Sequence, residues 1–185
     1  MKSRQIYLYY KNVDEESLIA FLSSYPELTL LSKQESFLKI AYEGTFEIES
    51  FQELRELSMQ ELYLDFVAFV QPQTDNFPMD DILFYLPRLS PGVYTIESLI
   101  PEIIFLKLGN LKMKLKEFYL QLLGTDTIDS ILGFIKENQN ASQASKRLYM
   151  HRNTLNYRLD HFIEKTQIDV RTFKGALAVY LLFRA

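Results

Sequence analysis

A run of hydrogen-bonding side chains at 151–158 is the segment whose residue types and spacing best suit a binding site. The polar residues alternate there with two leucines four positions apart, Leu155 and Leu159. Asn can bond the major-groove edge of adenine bidentately and Arg that of guanine, whereas hydroxyls and free backbone N–H groups suit phosphate. The segment is therefore either an ordinary solvated helix face or a helix that enters a DNA groove. Its polar members are His151, Arg152, Asn153, Thr154, Asn156, Tyr157 and Arg158.

The spacing of the apolar residues predicts that this segment is helical. Leu155, Leu159 and Phe162 advance by four and three positions, which turns them toward a core. Arg152 and Thr154 sit at the start of the helix. Asp160 would repel phosphates, so the contact face is expected to end before it. At about 100° per residue, the side opposite the leucines carries Asn153, Asn156, Tyr157 and Asp160, with Arg158 on a flank.

A shorter helix is predicted just before it. Asn140 followed three positions later by Gln143 has the spacing of a capping box. The small residues Ala144 and Ser145 would let another helix cross closely. The turn between the two helices falls within 149–153 and is only a few residues long. Two short helices joined by such a turn predict a helix-turn-helix.

The charge is divided unevenly along the chain. Residues 140–185 contain eight Lys and Arg against three Asp and Glu, a net +5. Because the whole chain has 20 basic and 24 acidic residues, residues 1–139 carry 12 against 21, a net −9. Such a split is typical of a nucleic-acid-facing module, although chance clustering of surface charge gives the same count.

The residue types argue against an enzyme. There is no cysteine, which excludes disulfides, thiol catalysis and cysteine-based zinc sites. Both histidines, His151 and His161, lie in the predicted recognition helix and are not spaced as metal ligands on one helix face. Asp80-Asp81 are adjacent on a predicted loop, so they are not expected to converge on a metal. Without a glycine-rich phosphate loop either, we predict no catalytic site, no metal and no cofactor.

The composition favours a globular protein with a cytoplasmic address. Hydrophobic residues make up 48% and charged residues 24%. No apolar stretch approaches the roughly 18–20 residues of a membrane helix, and the basic N-terminus lacks the apolar region of a signal peptide. We therefore expect no membrane partner, and association with the nucleoid when DNA is bound.

The fold class is predicted to be α+β, with three regions. Residues 1–75 follow the order β-α-β-β-α-β, which fits a ferredoxin-like sandwich. Residues 76–125 are a linker with connecting helices, including a strand at Ile82–Leu86 and a helix at 111–123. Residues 126–185 are the helix-turn-helix domain, whose first helix is expected to be capped by Thr127. Strands are expected at 5–10, Leu28–Leu31, Phe37–Tyr42 and Tyr63–Val70, with helices from Asp14 to Pro26 and over 47–60.

The segment from Asn140 to Leu159 resembles the C-terminal helix-turn-helix of PucR/CdaR-type bacterial transcription regulators. Its signature is His-Arg-Asn-Thr, one apolar residue, any residue and Tyr-Arg-Leu, present at 151–159. Similar flanks extend the resemblance to roughly 94–185. It implies sequence-specific binding to double-stranded DNA, usually as a homodimer. The implied DNA contacts are Ser142 and Gln143, as phosphate ligands, and His151, Arg152, Asn153, Thr154, Asn156, Tyr157 and Arg158.

Two departures from that family limit what the resemblance implies. Thr166-Gln167 stands where the family usually has Thr-Gly, so the recognition helix is expected to end less abruptly. About 130 residues precede the module instead of a large sensory region. The β-α-β-β-α-β region would then be the remnant of a degenerate GGDEF-like domain without its cyclase motif, and a small-molecule effector stays open.

Two further questions stay open. The alternative to a DNA-binding regulator is a protein-interaction or ligand-sensing adaptor whose helix-turn-helix no longer binds DNA, with the acidic 1–139 region as its binding surface. The C-terminal helix at Val170–Phe183 either packs on the helix-turn-helix or forms a dimer interface, as the 111–123 helix also could.

Overall fold

In the computed structural model, which describes residues 3–44 and 47–184, the chain divides into two units. The first consists of Met1–Gln71 and Met79–Thr95, and the second of Pro72–Pro78 and Ile96–Ala185. The predicted linker at 76–125 is therefore shared between the units. The fold class is α+β, as predicted, with a strand-rich N-terminal unit and a helical C-terminal unit.

The first unit is built on a five-stranded sheet in the order β2-β3-β1-β4-β5. β1 pairs antiparallel with both β3 and β4, which gives the predicted ferredoxin-like order, and β5 joins β4 in parallel. Its elements are β1 (Arg4–Tyr10), α1 (Glu15–Ser23), β2 (Leu28–Gln34), β3 (Phe37–Tyr42), α2 (Ile48–Leu62), β4 (Phe66–Val70), α3 (Met79–Tyr85), a 3₁₀ turn (Leu86–Arg88) and β5 (Gly92–Tyr94).

The core of this unit lies between one face of the sheet and helices α1 and α2. Alternate residues of β1 and β3 are buried there, because successive side chains of a strand point to opposite faces. The core includes Ile6, Leu8, Leu38 and Ile40 from the sheet, and Leu18, Leu22, Phe51 and Leu54 from the helices. The Asp14 side chain accepts a hydrogen bond from the Ser17 N–H (3.3 Å), so the predicted cap of α1 is confirmed.

The strand expected at Ile82–Leu86 is instead helical, as α3 and the start of the 3₁₀ turn. Ile82 and Leu86 are buried four positions apart, whereas Phe84 between them is 69% exposed. A run of five apolar residues is too short to show this helical period from sequence. Asp80 and Asp81 occupy the first turn of α3, where carboxylates favour the positive end of the helix dipole.

The second unit is helical within its described residues. Its helix α6 begins at Thr125 with Gly124 as N-cap, so the cap lies three residues before the one expected at Thr127. Gly124 has a positive φ of 76°, a conformation that favours glycine. Its elements are α4 (Ile96–Phe105), α5 (Gly109–Leu123), α6 (Thr125–Lys136), α7 (Ala141–Arg147), α8 (Arg152–Thr166) and α9 (Phe173–Arg184). Every helix within 3–44 and 47–184 is too short or too polar to cross a bilayer.

Helices α4 and α9 pack together beside the link between α8 and α9. Glu97 on α4 accepts a hydrogen bond from the Asp169 N–H at 2.7 Å. Burial raises the pKa of the Glu97 carboxyl, although this hydrogen bond acts in the opposite direction. Gly175 on α9 lies against the same link, so the contact depends on a residue without a side chain.

Tyr119 on α5 is buried with an unsatisfied hydroxyl. The residue is 1% exposed, and no described atom is placed to hydrogen-bond its oxygen. Burial also raises the pKa of this phenol. An unpaired buried donor costs about 1–3 kcal/mol.

We expect Tyr119→Phe to raise the free energy of unfolding by about 1 kcal/mol in urea titrations. Tyr63→Phe, at a 90% exposed site, should change it little, and a loss of stability in Tyr119→Phe would contradict the assignment.

Candidate nucleic-acid interface

Helix α7 begins where the sequence predicted, with Asn140 as its N-cap. The Asn140 Oδ1 accepts hydrogen bonds from the Ser142 and Gln143 N–H groups, both at 3.1 Å. The return bond of a capping box is not made, because the Asn140 N–H donates to the Glu137 carbonyl (3.0 Å). Ser142 and Gln143 are exposed, so their side chains can meet a ligand.

Small residues bring α6, α7 and α8 close together. Ala144 is fully buried and Ser145 is 6% exposed, as the predicted helix crossing requires. On α6, a Cβ added to Gly133 would lie 2.8 Å from the Leu148 Cδ2 atom at the end of α7. The three helices contact one another pairwise. This compact arrangement fixes the orientation of α8.

The turn between α7 and α8 exposes an aromatic side chain that the sequence analysis did not select. Tyr149 has a positive φ of 51° and is 97% exposed. The Met150 N–H donates to the Ser145 carbonyl (3.0 Å), which is the bond of a helix end that normally has glycine in the left-handed position. The sequence signal that could have singled out Tyr149 is a tyrosine at a helix end, where glycine is usual. The left-handed backbone of such an end is unfavourable for bulky residues.

Helix α8 starts at Arg152 and is capped by His151. The His151 Nδ1 accepts a hydrogen bond from the Asn153 N–H at 3.2 Å, which satisfies one of the unpaired N–H groups of the first turn. His151 itself is exposed. The structure therefore gives His151 a capping role that the sequence did not predict. His151 lies at the edge of the polar surface that was predicted from the sequence.

The two faces of α8 separate as the spacing predicted. Leu155, Leu159 and Phe162 are at most 1% exposed and pack inward. Tyr157 is 70% exposed, and its ring stacks on that of His161 with centroids 6.1 Å apart. The exposed residues of the first turns are Arg152, Asn153, Thr154 and Tyr157, with Asn156 partly buried beside them.

Arg158, which was predicted to contact DNA, makes hydrogen bonds within the protein. Its Nη1 atom donates to the Asp126 carbonyl at 3.1 Å and to the Ser130 Oγ at 2.6 Å. Both partners belong to α6, so the guanidinium holds α8 against α6. The flank position predicted from the helical period is right, but the period alone does not reveal that α6 covers this flank.

Charges around α8 are partly paired. Asp160 accepts a hydrogen bond from Arg171 Nη2 at 2.7 Å, which offsets the negative charge expected to repel phosphate. Both side chains are largely exposed, so the pair adds little to stability. Arg152 and Lys146 are exposed, and neither forms an ion pair within 3–44 and 47–184. The free positive charge of this surface thus lies at the end of α7 and the start of α8.

The expectation that α8 ends gradually was wrong. Gln167 adopts the left-handed conformation with φ 58°, and its N–H donates to the Ile163 carbonyl at 2.8 Å. A glutamine thus closes the helix in the way that glycine usually does. Contacts with the preceding segment accompany this ending: the Gln73 N–H donates to Gln167 Oε1 (3.2 Å), and the Thr74 hydroxyl donates to the Lys165 carbonyl (2.8 Å).

Comparison with known proteins agrees with this geometry. Residues 128–185 match the family described as the PucR C-terminal helix-turn-helix domain. This part of the chain is therefore a PucR-type helix-turn-helix domain, as the resemblance implied.

Two relatives from Bacillus subtilis match parts of the chain. YxkF, an uncharacterized protein, is 47% identical over 49 residues, which are 26% of this chain and 16% of that protein. The proline-responsive transcriptional activator PutR is 29% identical over 91 residues, 49% of this chain and 22% of that protein. The chain thus matches about a fifth of the length of these relatives.

A solved structure shares the fold over nearly the whole chain. The regulator of polyketide synthase expression from Bifidobacterium adolescentis superposes with a TM-score of 0.50 at 18% identity. The superposition covers 98% of this chain and 80% of that one. At this identity the likeness supports the α+β fold.

Proposed function

We propose that this protein is a sequence-specific DNA-binding transcription regulator whose helix α8 enters the major groove. The observation that carries the proposal is the exposed, capped first half of α8 within a PucR-type helix-turn-helix. Its apolar side is buried on α6 and α7, while its outer side presents amide, guanidinium and hydroxyl groups. These are the groups that read base edges and bind phosphates.

The contacts divide by chemistry. Asn153 lies at the centre of the outer face and is suited to adenine, and Arg152 at the helix start is suited to guanine or phosphate. Asn156 and Tyr157 extend the base-reading surface by one turn. Phosphates on one strand would be bound by Ser142, Gln143 and Thr154, and the capping residue His151 lies beside them. Arg158 acts indirectly in this proposal, because it holds α8 in place on α6.

Tyr149 extends this interface beyond the residues selected from sequence. A strained and almost fully exposed tyrosine contributes little to folding, so we propose that its ring or hydroxyl contacts the DNA backbone. Tyr149→Gly should leave the free energy of unfolding unchanged or raise it by up to about 1 kcal/mol, because glycine accepts this conformation.

The same substitution should weaken operator binding about tenfold, an estimate based on the removal of one charge-assisted hydrogen bond. Binding is measured by fluorescence anisotropy and stability by urea unfolding. Tyr63→Gly is the control, because Tyr63 is also left-handed (φ 55°) and 90% exposed but lies in the first unit. Equal effects of the two changes on DNA affinity would remove Tyr149 from the interface.

We further propose that two copies bind as a homodimer through α9. Phe173, Leu177 and Tyr180 recur every three to four residues and remain 77%, 37% and 43% exposed. They form an apolar stripe on the side of α9 opposite its buried residues. A symmetric dimer would bury the stripe of each copy against the other and present two α8 helices to two half-sites.

The dimer is tested by sedimentation equilibrium of the full chain. Phe173→Lys is expected to shift the protein from dimer to monomer, because each stripe would gain a charge that the partner copy must bury. Phe105→Lys is the matched control, since Phe105 is 80% exposed at the end of α4 and lies outside the stripe. If both variants sediment as the unmodified protein does, the interface is elsewhere.

Genome-wide mapping of bound fragments, followed by titration of the recovered operator, tests the function. Specific binding should weaken steeply with salt, with a log–log slope of about −0.9 per phosphate neutralised. Half-sites a whole number of helical turns apart would support the dimer, and DNA binding would place the protein at the nucleoid in the cytoplasm. Absence of DNA binding, together with recovery of a bound regulator protein, would instead support the adaptor function.

A further inference from the structure

The first unit contains a groove on the face of its sheet opposite the core. Strand β1 contributes Tyr7, strand β3 contributes Phe37 and Lys39, and helix α3 contributes Leu83 and Phe84. Tyr7 and Lys39 are cross-strand partners, and their neighbours Ile6 and Ile40 point the other way into the core. The groove has a volume of about 730 Å³. Small-molecule sites fall within roughly 300–1,000 Å³, so the space suits a small organic ligand.

A cation without an acidic partner lies inside this groove. Lys39 is partly buried, with its Nζ atom 5.3 Å from the centre of the Tyr7 ring. Within 3–44 and 47–184 it forms no ion pair, whereas Lys33 on the neighbouring strand is paired with Glu15. An aromatic ring compensates a partly desolvated ammonium only in part. Lys39 therefore has no ion-pair partner among the described residues, so its ammonium can pair with a bound anion.

The remaining walls are mainly apolar and aromatic. The Phe37 ring lies 5.2 Å from that of Tyr9, which fixes its position on the sheet. Phe84, on the α3 side, is 69% exposed although it lies beside buried residues of the same helix. A ligand body placed between Phe37 and Phe84 would remove apolar surface of both from water. Two carboxylates, Glu35 and Asp80, line the groove from exposed positions.

We propose that this groove binds a small carboxylate with an aromatic or branched apolar body. Its carboxylate pairs with the Lys39 ammonium, and its body lies against Tyr7, Phe37 and Phe84. An α-ammonium group on the same ligand would meet Glu35 or Asp80, so both simple acids and apolar amino acids share the chemistry of recognition. The site goes beyond DNA binding and does not depend on it, because every lining residue belongs to the first unit.

Calorimetric titration of the full chain, without DNA, tests the proposal with three probes. Phenylacetate carries only the carboxylate, L-phenylalanine carries both charges, and phenethylamine carries only the ammonium. We expect saturable binding of the first two and at least tenfold weaker binding of phenethylamine. Phenylalanine binding tighter than phenylacetate would assign the ammonium to Glu35 or Asp80, and the reverse order would assign the site to simple acids.

Two variants link the binding to the groove. Lys39→Met keeps the length of the side chain and should weaken carboxylate binding tenfold or more. Lys33→Met removes the same charge from a lysine that does not line the groove, and should leave binding unchanged. Phe84→Ser, at an exposed position, should also weaken binding while circular dichroism stays unchanged. No saturable carboxylate binding, or equal binding by the Lys39→Met and Lys33→Met proteins, would overturn the proposal.

Discussion

Gly175→Ala is expected to lower the free energy of unfolding of the helical unit by about 3 kcal/mol, the upper end of typical overpacking costs. The added Cβ would lie 2.1 Å from the Asp169 carbonyl oxygen and 2.6 Å from its carbon. Both atoms are backbone, so no rotation of a side chain can relieve the clash. Either α9 must move away or the link between α8 and α9 must change its path.

Hydrogen bonds hold that link on both sides of the clash. The Asp169 carbonyl accepts bonds from the Thr172 N–H (3.0 Å) and hydroxyl (2.8 Å), and the Asp169 N–H donates to Glu97 (2.7 Å). The Thr172 hydroxyl oxygen also accepts a bond from the Gly175 N–H at 3.0 Å. A displacement large enough to admit a methyl group would break several of these bonds at once, each worth about 0.5–1.5 kcal/mol.

Two other helical glycines provide graded controls in urea unfolding. Gly109→Ala meets no atom within 4 Å and should not be destabilising. Gly133→Ala meets the flexible end of Leu148 at 2.8 Å, so we expect an intermediate loss of about 1 kcal/mol. Equal losses for Gly133→Ala and Gly175→Ala would show that the backbone at Asp169 yields as easily as a leucine side chain.

The parts of the structure that followed from sequence are those with a long period or a local cap. The leucine spacing of α8 and the alternation in β1 repeat one physical constraint over several residues. The Asn140 cap of α7 depends only on residues next to it in the sequence. The short elements did not follow. Strand β5 has only three residues and pairs in parallel with β4, a long-range contact that no local pattern encodes.

The candidate site shows the same division. The exposure of Asn153 and Tyr157 depends on the face of one helix, so the helical period predicted it. The partners of Arg158 lie 28 and 32 positions away on α6, so its internal role could be found only in three dimensions. The groove around Lys39 likewise joins three strands and α3, and its only trace in the sequence is an isolated lysine among aromatic residues.

Asn153→Ala and Arg152→Ala are expected to weaken operator binding in two distinguishable ways. Loss of a bidentate contact between Asn153 and a base costs about 1–3 kcal/mol, roughly tenfold to hundredfold in affinity per half-site. Because an amide carries no charge, the salt slope and the binding to unrelated DNA should stay unchanged. The cap of α8 is retained, since the Asn153 backbone N–H makes the bond to His151.

Arg152→Ala removes a free cation from the start of α8. If Arg152 binds phosphate, affinity should fall on operator and unrelated DNA alike, and the salt slope should decrease by about 0.9 for each phosphate that is no longer neutralised. If it reads guanine, the loss should be confined to the operator.

Arg88→Ala is the matched control, because Arg88 is an exposed arginine of the first unit. Affinities are measured by anisotropy across a salt series. If neither Asn153→Ala nor Arg152→Ala, correctly folded, bound the operator more weakly than Arg88→Ala, the outer face of α8 would not be the DNA-binding surface.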